Sequence, residues 1–145
     1  MILLLLVALA AGVLLPVQAG VNAQLRSAVG SPLTAALISF LVGTAGLVTA
    51  AVILRVPIAL RAAWTVTPWW YWVGGLIGAL YVVATIVLAP RLGAATMIAA
   101  IVAGQMMASL LLDQYGLLGF PTHPISGLRV LGATLVIVGV ILVQR

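Results

Sequence analysis

Polar side chains recur at four-residue intervals along one face of a first, largely apolar segment. The three residues are Gln18, Asn22 and Arg26. Residues four apart in an α-helix lie on the same face, so the two amides and the guanidinium form one polar stripe. Such side chains are costly in hydrocarbon unless they form hydrogen bonds, and the stripe must therefore face protein or water rather than lipid. We predict that it lines a pathway for a small solute, which it binds by hydrogen bonds.

A second polar stripe lies in the fourth apolar segment, where Gln105, Ser109 and Asp113 follow one another at the same interval. Tyr81, near the middle of the third segment, carries a hydroxyl that also needs a partner. Because Gln105 lies deep in its segment, we expect it to pair across a cavity with Tyr81 or with an amide of the first stripe. The alternative is that Gln105 holds two helices together by one hydrogen bond worth about 0.6 kcal/mol.

Asp113 is the only carboxylate side chain of the sequence. It is a candidate proton site, but it lies at a predicted helix end, where an ion pair with Arg129 or a turn-capping role is an equal alternative. The single histidine, His123, is expected in a surface turn. One histidine, one acid and no cysteine cannot build a multi-ligand metal site or a set of nucleophile, base and orienting acid. We therefore predict no metal, no cofactor and no enzymatic activity.

The composition places these stripes inside a lipid bilayer. Hydrophobic residues make up 66% of the 145 residues and charged residues only 5%, with a mean hydropathy of +1.40. Five segments meet the length of about 20 mostly apolar residues that a membrane helix needs. They predict an all-α membrane protein of one domain, residues 1–145, with helices at about 2–24, 32–54, 69–88, 94–112 and 127–143.

Three residues inside these segments have a predicted structural role. Pro16 lacks a backbone donor, and we expect a kink in the first helix just before the polar stripe. Ser39 and Gly43 in the second helix form a small-x-x-x-small pair, which is typical of close packing between membrane helices.

The charges give a prediction about orientation. The net charge is +5, but the arginines are scattered singly, so no basic patch for nucleic acid exists. With five spans, each side of the membrane receives three arginines: Arg55, Arg61 and Arg129 on one side, and Arg26, Arg91 and Arg145 on the other. An excess of positive charge normally sets orientation. The balance therefore predicts insertion both ways and an antiparallel homodimer, whereas a single orientation set by hydrophobicity is the alternative.

Short motifs follow one another along nearly the whole chain: Pro16-x-Gln18-x-x-x-Asn22-x-x-Leu25, Gly30-Ser31-Pro32, Phe40-x-x-Gly43, Gly74-Gly75-x-x-Gly78-Ala79-x-Tyr81, Pro90-x-Leu92-Gly93, Gly104-Gln105, Asp113-x-x-Gly116 and Arg129-x-x-Gly132. In this order and spacing the sequence resembles the YdcZ-like inner-membrane proteins of the drug/metabolite transporter (DMT) superfamily in bacteria. The resemblance implies a multi-pass protein of the bacterial inner membrane.

The resemblance also implies an architecture. The chain would be the five-helix half of a ten-helix DMT-type transporter, with four helices forming the pathway and the fifth serving assembly. Such short chains would pair as antiparallel homodimers or heterodimers. The small multidrug exporters of the superfamily use a glutamate in the first helix for exchange of protons and cations. Here that region offers only Gln18 and Asn22, which favours a neutral or weakly polar solute, or an anion attracted by Arg26.

Three functions remain open from the sequence. The first is a secondary transporter that works by alternating access, with Gln18, Asn22, Tyr81 and Gln105 as hydrogen-bonding groups. The second is a passive channel or pore subunit with the same lining. The third is a structural membrane subunit in which the polar residues only hold helices together.

Overall fold

The computed structural model describes residues 1–57 and 59–144, without the side chains of residues 60–62. Arg145 and the side chain of Arg61, which both enter the charge count above, lie outside the described residues. The described part is helical and contains no strand. It has six α-helices: α1 (Ile2–Val29), α2 (Pro32–Ile53), α3 (Leu60–Val66), α4 (Val73–Leu92), α5 (Ala94–Tyr115) and α6 (Gly127–Val143). The predicted all-α class is confirmed.

The turn between α1 and α2 is set by three consecutive residues. Gly30 takes the left-handed conformation, with φ 77°, and its N–H donates to the Arg26 carbonyl at 2.8 Å, which ends α1. The Ser31 hydroxyl accepts from the Thr34 N–H at 3.3 Å, and Pro32 occupies the first turn of α2, where its missing donor is not needed. Because the turn is so short, α1 and α2 are neighbours in a helical hairpin.

Helix contacts group the chain into two compact units, Met1–Pro90 and Arg91–Arg145. In the first unit, Ala35 and Ala36 of α2 pack against Val82 and Ile86 of α4, and all four side chains are buried. The partly buried residues around this cluster are Leu25, Val29, Tyr81 and Val83. In the second unit, α5 packs along α6. That residues 1–145 form one domain stays a prediction.

Four helical segments are long and apolar enough to cross a membrane: Ile2–Val29, Pro32–Ile53, Trp69–Leu92 and Ala94–Tyr115. The third begins with a 3₁₀ turn over Trp69–Trp72 that leads directly into α4. Helix α6 has 17 residues, which at 1.5 Å per residue gives about 26 Å, slightly less than the hydrocarbon thickness. The fifth span therefore remains a prediction.

Candidate functional site

A groove lies along α1 on the side that faces α2. Gln18 and Asn22 of α1 and Ser39 of α2 supply its polar groups, and its volume is about 480 Å³. The remaining lining is apolar and comes from α1: Leu14, Leu15, Val17 and Val21. The groove therefore offers two amides and one hydroxyl in an otherwise apolar wall, which is the usual composition of a site for a small organic molecule.

Asn22 is the unusual residue of the groove. Its side chain is only 4% exposed, and its Nδ2 has no hydrogen-bond partner within the described residues. A buried donor without an acceptor costs about 1–3 kcal/mol, and such groups are rare enough that each one needs an explanation. An acceptor that arrives from outside this chain would remove the cost.

The other members of the first stripe differ in their surroundings. Gln18 is exposed on the groove side of α1, whereas Arg26, one turn beyond Asn22 toward the α1–α2 turn, is partly buried. No ion pair to Arg26 occurs among residues 1–57 and 59–144. The single carboxylate, Asp113, does not line the groove. The nearby formal charge along this face of α1 is therefore positive.

The groove lies nearer the end of α1 that leads into the α1–α2 turn. Helix α1 has 28 residues and is about 42 Å long, with its midpoint near Leu15. Gln18 lies about one turn beyond that midpoint, and Asn22 lies about 10 Å beyond it. The helix continues through Pro16, which has no N–H to donate to the Gly12 carbonyl. The groove thus extends from the middle of α1 toward the α1–α2 turn.

Tyr81 lies in the same unit as the groove but does not line it. Its partly buried ring packs against the cluster of small and aliphatic side chains that joins α2 and α4. Ser39, in contrast, lines the groove, although the sequence favoured a packing role for it with Gly43. A hydroxyl in an apolar helix was the available signal, but the sequence does not show which neighbouring helix it meets.

In the second unit, Ser109 and Arg129 line a smaller cavity of about 270 Å³ between α5 and α6. Its other walls are Met106, Leu110, Gly132 and Ala133. Gln105 is exposed on α5 and is not part of this lining. An exposed amide within a segment apolar enough to span the bilayer needs cover from protein or water.

Asp113 and Arg129 form an ion pair at the loop end of the α5–α6 hairpin, with side chains 23% and 34% exposed, respectively. The same guanidinium donates to the His123 carbonyl at 2.7 Å, and the His123 N–H donates to the Asp113 carbonyl at 2.9 Å. Gln114 Oε1 accepts from the Ile125 N–H at 2.6 Å. These bonds hold the loop against the end of α5. The geometry corresponds to the structural ion pair that the sequence offered as an alternative to a proton site.

The described residues contain no group of three or more His, Cys, Asp or Glu side chains that could hold a metal ion. The lining of the groove offers hydrogen bonding and apolar contact.

Several apolar helices of membrane-spanning length define a class, that of polytopic membrane proteins. Residues 3–142 match the family described as "Putative inner membrane exporter, YdcZ". The chain belongs to this family and is a multi-pass protein of the inner membrane. Membership of an exporter family, which is not a family of enzymes by its description, indicates a transport protein.

One curated relative is the "Inner membrane protein YdcZ" of Escherichia coli (strain K12), which is 40% identical over 77 residues. The match covers 53% of this chain and 51% of that protein, so the chain spans about half the length of the curated relative that it matches. No solved structure matches this chain at a significant level.

Proposed function

We propose that this chain is a secondary transporter that moves a small polar or weakly charged solute across the inner membrane by alternating access. The observation that carries this proposal is the buried, unpartnered amide of Asn22 in a groove between two apolar helices. A group that only held helices together would find its acceptor within the helices that it joins. Asn22 Nδ2 has no acceptor among the described residues, and its groove leads from the middle of α1 toward the α1–α2 turn.

The proposal assigns hydrogen bonding to the solute to Gln18, Asn22 and Ser39 first, because the structure gathers these three in one groove. Arg26 contributes positive charge on the same helix. Tyr81 and Gln105 remain part of the proposed pathway as polar groups of spanning segments, and they would be reached during the conformational cycle.

The second unit has a supporting role in this proposal. Ser109 lines the small cavity beside α6, and Asp113 paired with Arg129 fixes the end of the hairpin. Asp113 is also the one carboxylate of the chain that could couple transport to protons. In that case Asp113→Asn abolishes accumulation driven by a proton gradient while solute exchange persists.

We propose further that two chains form an antiparallel homodimer, a ten-helix DMT-type assembly in which α6 is the fifth span. In each of α1, α2 and α5, only 6% of the most apolar 18-residue window is buried. Lipid can cover the apolar part of this surface but not the exposed amide of Gln105, which favours a second chain as its cover. The balance of arginines supports the antiparallel arrangement. Reporter fusions at the C-terminus test it, because activity on one side of the membrane only would contradict dual insertion.

Solute counterflow in proteoliposomes tests the transport mechanism. A carrier exchanges labelled solute against an internal excess, whereas a pore shows only downhill flux. Labelled pyruvate, glycerol and alanine would serve as an anionic, a neutral and a zwitterionic probe. Counterflow of any of them that is lost in Asn22→Leu supports the carrier.

The matched control is Gln24→Leu, which removes an exposed amide of the same helix that does not line the groove. Downhill flux without exchange would point to the channel alternative. Equal flux in the wild type and in Asn22→Leu, with both proteins folded, would contradict the assignment of the groove and favour the structural subunit.

A further inference from the structure

We infer that the groove selects a small organic anion, which places a carboxylate oxygen on the Asn22 amide and an apolar tail along α1. This inference rests on the proposed function and names the class of its solute. It depends on three features: a donor without a partner among the described residues, the sign of the nearby charge, and the position of the apolar side chains that line the groove.

The unpartnered atom of Asn22 is a donor, the Nδ2 amide, and not an acceptor. A ligand that relieves it must bring an acceptor oxygen. The final torsion of an asparagine side chain is broad, so the amide can rotate and turn Nδ2 toward the groove when an acceptor is present. Ammonium compounds bring only donors and would leave Nδ2 unsatisfied.

The charge along this face of α1 favours an anion. Arg26 does not itself line the groove; it follows Asn22 by one helical turn, about 6 Å along the axis, and is partly buried. No ion pair neutralises it among the described residues. The only carboxylate of the sequence, Asp113, is paired with Arg129. A cationic solute would therefore enter a groove with no compensating negative charge, whereas a carboxylate gains the attraction of Arg26 and a charge-assisted hydrogen bond.

The wall of the groove is apolar beyond the polar groups. Leu14, Val17 and Val21 lie on the same helix toward its middle, away from Arg26. A solute with its carboxylate near Asn22 can therefore lay a short hydrocarbon tail along this wall. The arrangement fits small amphipathic acids better than highly hydroxylated solutes, which would find few hydrogen-bond partners there.

A matched set of three ligands tests this inference. They share a branched apolar tail and differ only in the head group: 4-methylpentanoate, 4-methylpentanamide and 4-methylpentylamine. Binding is measured on the full-length protein in detergent as a rise in the unfolding temperature with ligand concentration, because a ligand of the folded state stabilises it by mass action. We expect the carboxylate to bind at least about tenfold more tightly than the amine, the factor that corresponds to about 1.4 kcal/mol.

Three variants locate the effect. Asn22→Leu should weaken carboxylate binding about tenfold, the loss of one hydrogen bond to a charged group. Arg26→Gln should weaken carboxylate binding about threefold or more but leave binding of the neutral amide unchanged. Gln24→Leu is the control and should bind all three ligands as the wild type does.

Two results would overturn the inference. One is tighter binding of the amine than of the carboxylate. The other is carboxylate binding that is equal in the wild type and in Asn22→Leu, which includes the case in which neither protein binds the carboxylate. These results are distinct from failure of the proposed function. If the groove prefers the amine and Asn22→Leu still abolishes counterflow, the solute class is wrong but the transporter assignment stands. If counterflow is insensitive to Asn22→Leu, the transporter assignment itself fails.

Discussion

Replacing Asn22 by leucine should make the protein more stable while it removes transport. The side-chain amide is buried and leaves Nδ2 without an acceptor in the described part of the chain. Leucine is branched at the same carbon and has the same number of heavy atoms beyond it, but it has no polar group to desolvate. The substitution therefore removes an unfavourable term of the folded state and keeps most of the packing.

The magnitude follows from two opposing contributions. An unsatisfied buried donor costs about 1–3 kcal/mol, and because Asn22 is 4% exposed, water relieves little of that cost. Hydrophobic replacements of similar shape lose less than about 1.5 kcal/mol through imperfect packing. The difference places the free energy of unfolding between about 0.5 kcal/mol below and about 3 kcal/mol above that of the wild type, so the expected change is stabilising. Most substitutions of buried residues change stability in the opposite direction.

Reversible unfolding in mixed detergent and SDS measures this difference, with the loss of helical circular dichroism as one probe and tryptophan fluorescence as the other. Gln24→Leu is the matched control: it makes the same chemical change at an exposed position of α1 and should stay within about 0.5 kcal/mol of the wild type. A loss of 1 kcal/mol or more in Asn22→Leu alone would refute the reasoning. It would mean that the amide has an acceptor in the folded protein, for example in a second chain.

Three further predictions concern the turns that hold the helices. Gly116→Ala should lower stability by about 1–3 kcal/mol, because φ is +59° there and the added Cβ would lie 2.7 Å from Thr122 Oγ1; combining it with Thr122→Ala should restore part of the loss, and no restoration would rule out the contact. A double-mutant cycle on Asp113→Asn and Arg129→Leu should give a coupling of about 1 kcal/mol, since both side chains are partly solvated. A coupling near zero would remove the ion pair as a stabilising contact. Ser31→Ala should lower the free energy of unfolding by about 1 kcal/mol through loss of the cap of α2, and Ser31→Asp should not. If unfolding curves show the same loss of stability in both variants, the result argues against capping.

Hydropathy predicted the positions of the long helices but not where they end. Helix α1 continues to Val29, past the expected end near residue 24, because Arg26 and Ser27 are polar yet fit a helix until Gly30 stops it. Similarly, α5 runs to Tyr115 and ends at Gly116, which takes the left-handed conformation. The short helix α3 has only seven residues, too few for a hydropathy pattern to identify. Helix ends are set by the backbone conformation of the cap, whereas hydropathy reports the environment of side chains.

The spacing of the first stripe predicted a shared face but not the different surroundings of its members. Four residues advance about 400°, so each step rotates the stripe by about 40° around the helix. One such step separates the exposed Gln18 from the buried Asn22, and two steps, about 80°, separate Gln18 from the partly buried Arg26. Which helix lies opposite each member depends on packing between segments that are distant in sequence. For the same reason the part of Ser39 in the groove could not be predicted from α2 alone.

The exposed surface of the described chain contains two kinds of area that a membrane treats differently. Leucine, valine and isoleucine side chains dominate it, and lipid covers them without a free-energy penalty. The amides of Gln18 and Gln105 also lie on it well inside their helices, where lipid offers them no hydrogen bond, whereas the exposed amide of Gln24 lies nearer the end of α1. The positions that require a partner are therefore few and known. In the proposed transporter, water in the pathway would satisfy Gln18, which lines the groove, whereas Gln105 lines neither described cavity and would need a second chain or another part of the pathway. If two chains pair as proposed, cross-linking between them should concentrate on the face of α5 that carries Gln105, and Leu9, an exposed apolar residue of α1 that lipid can cover, should give none.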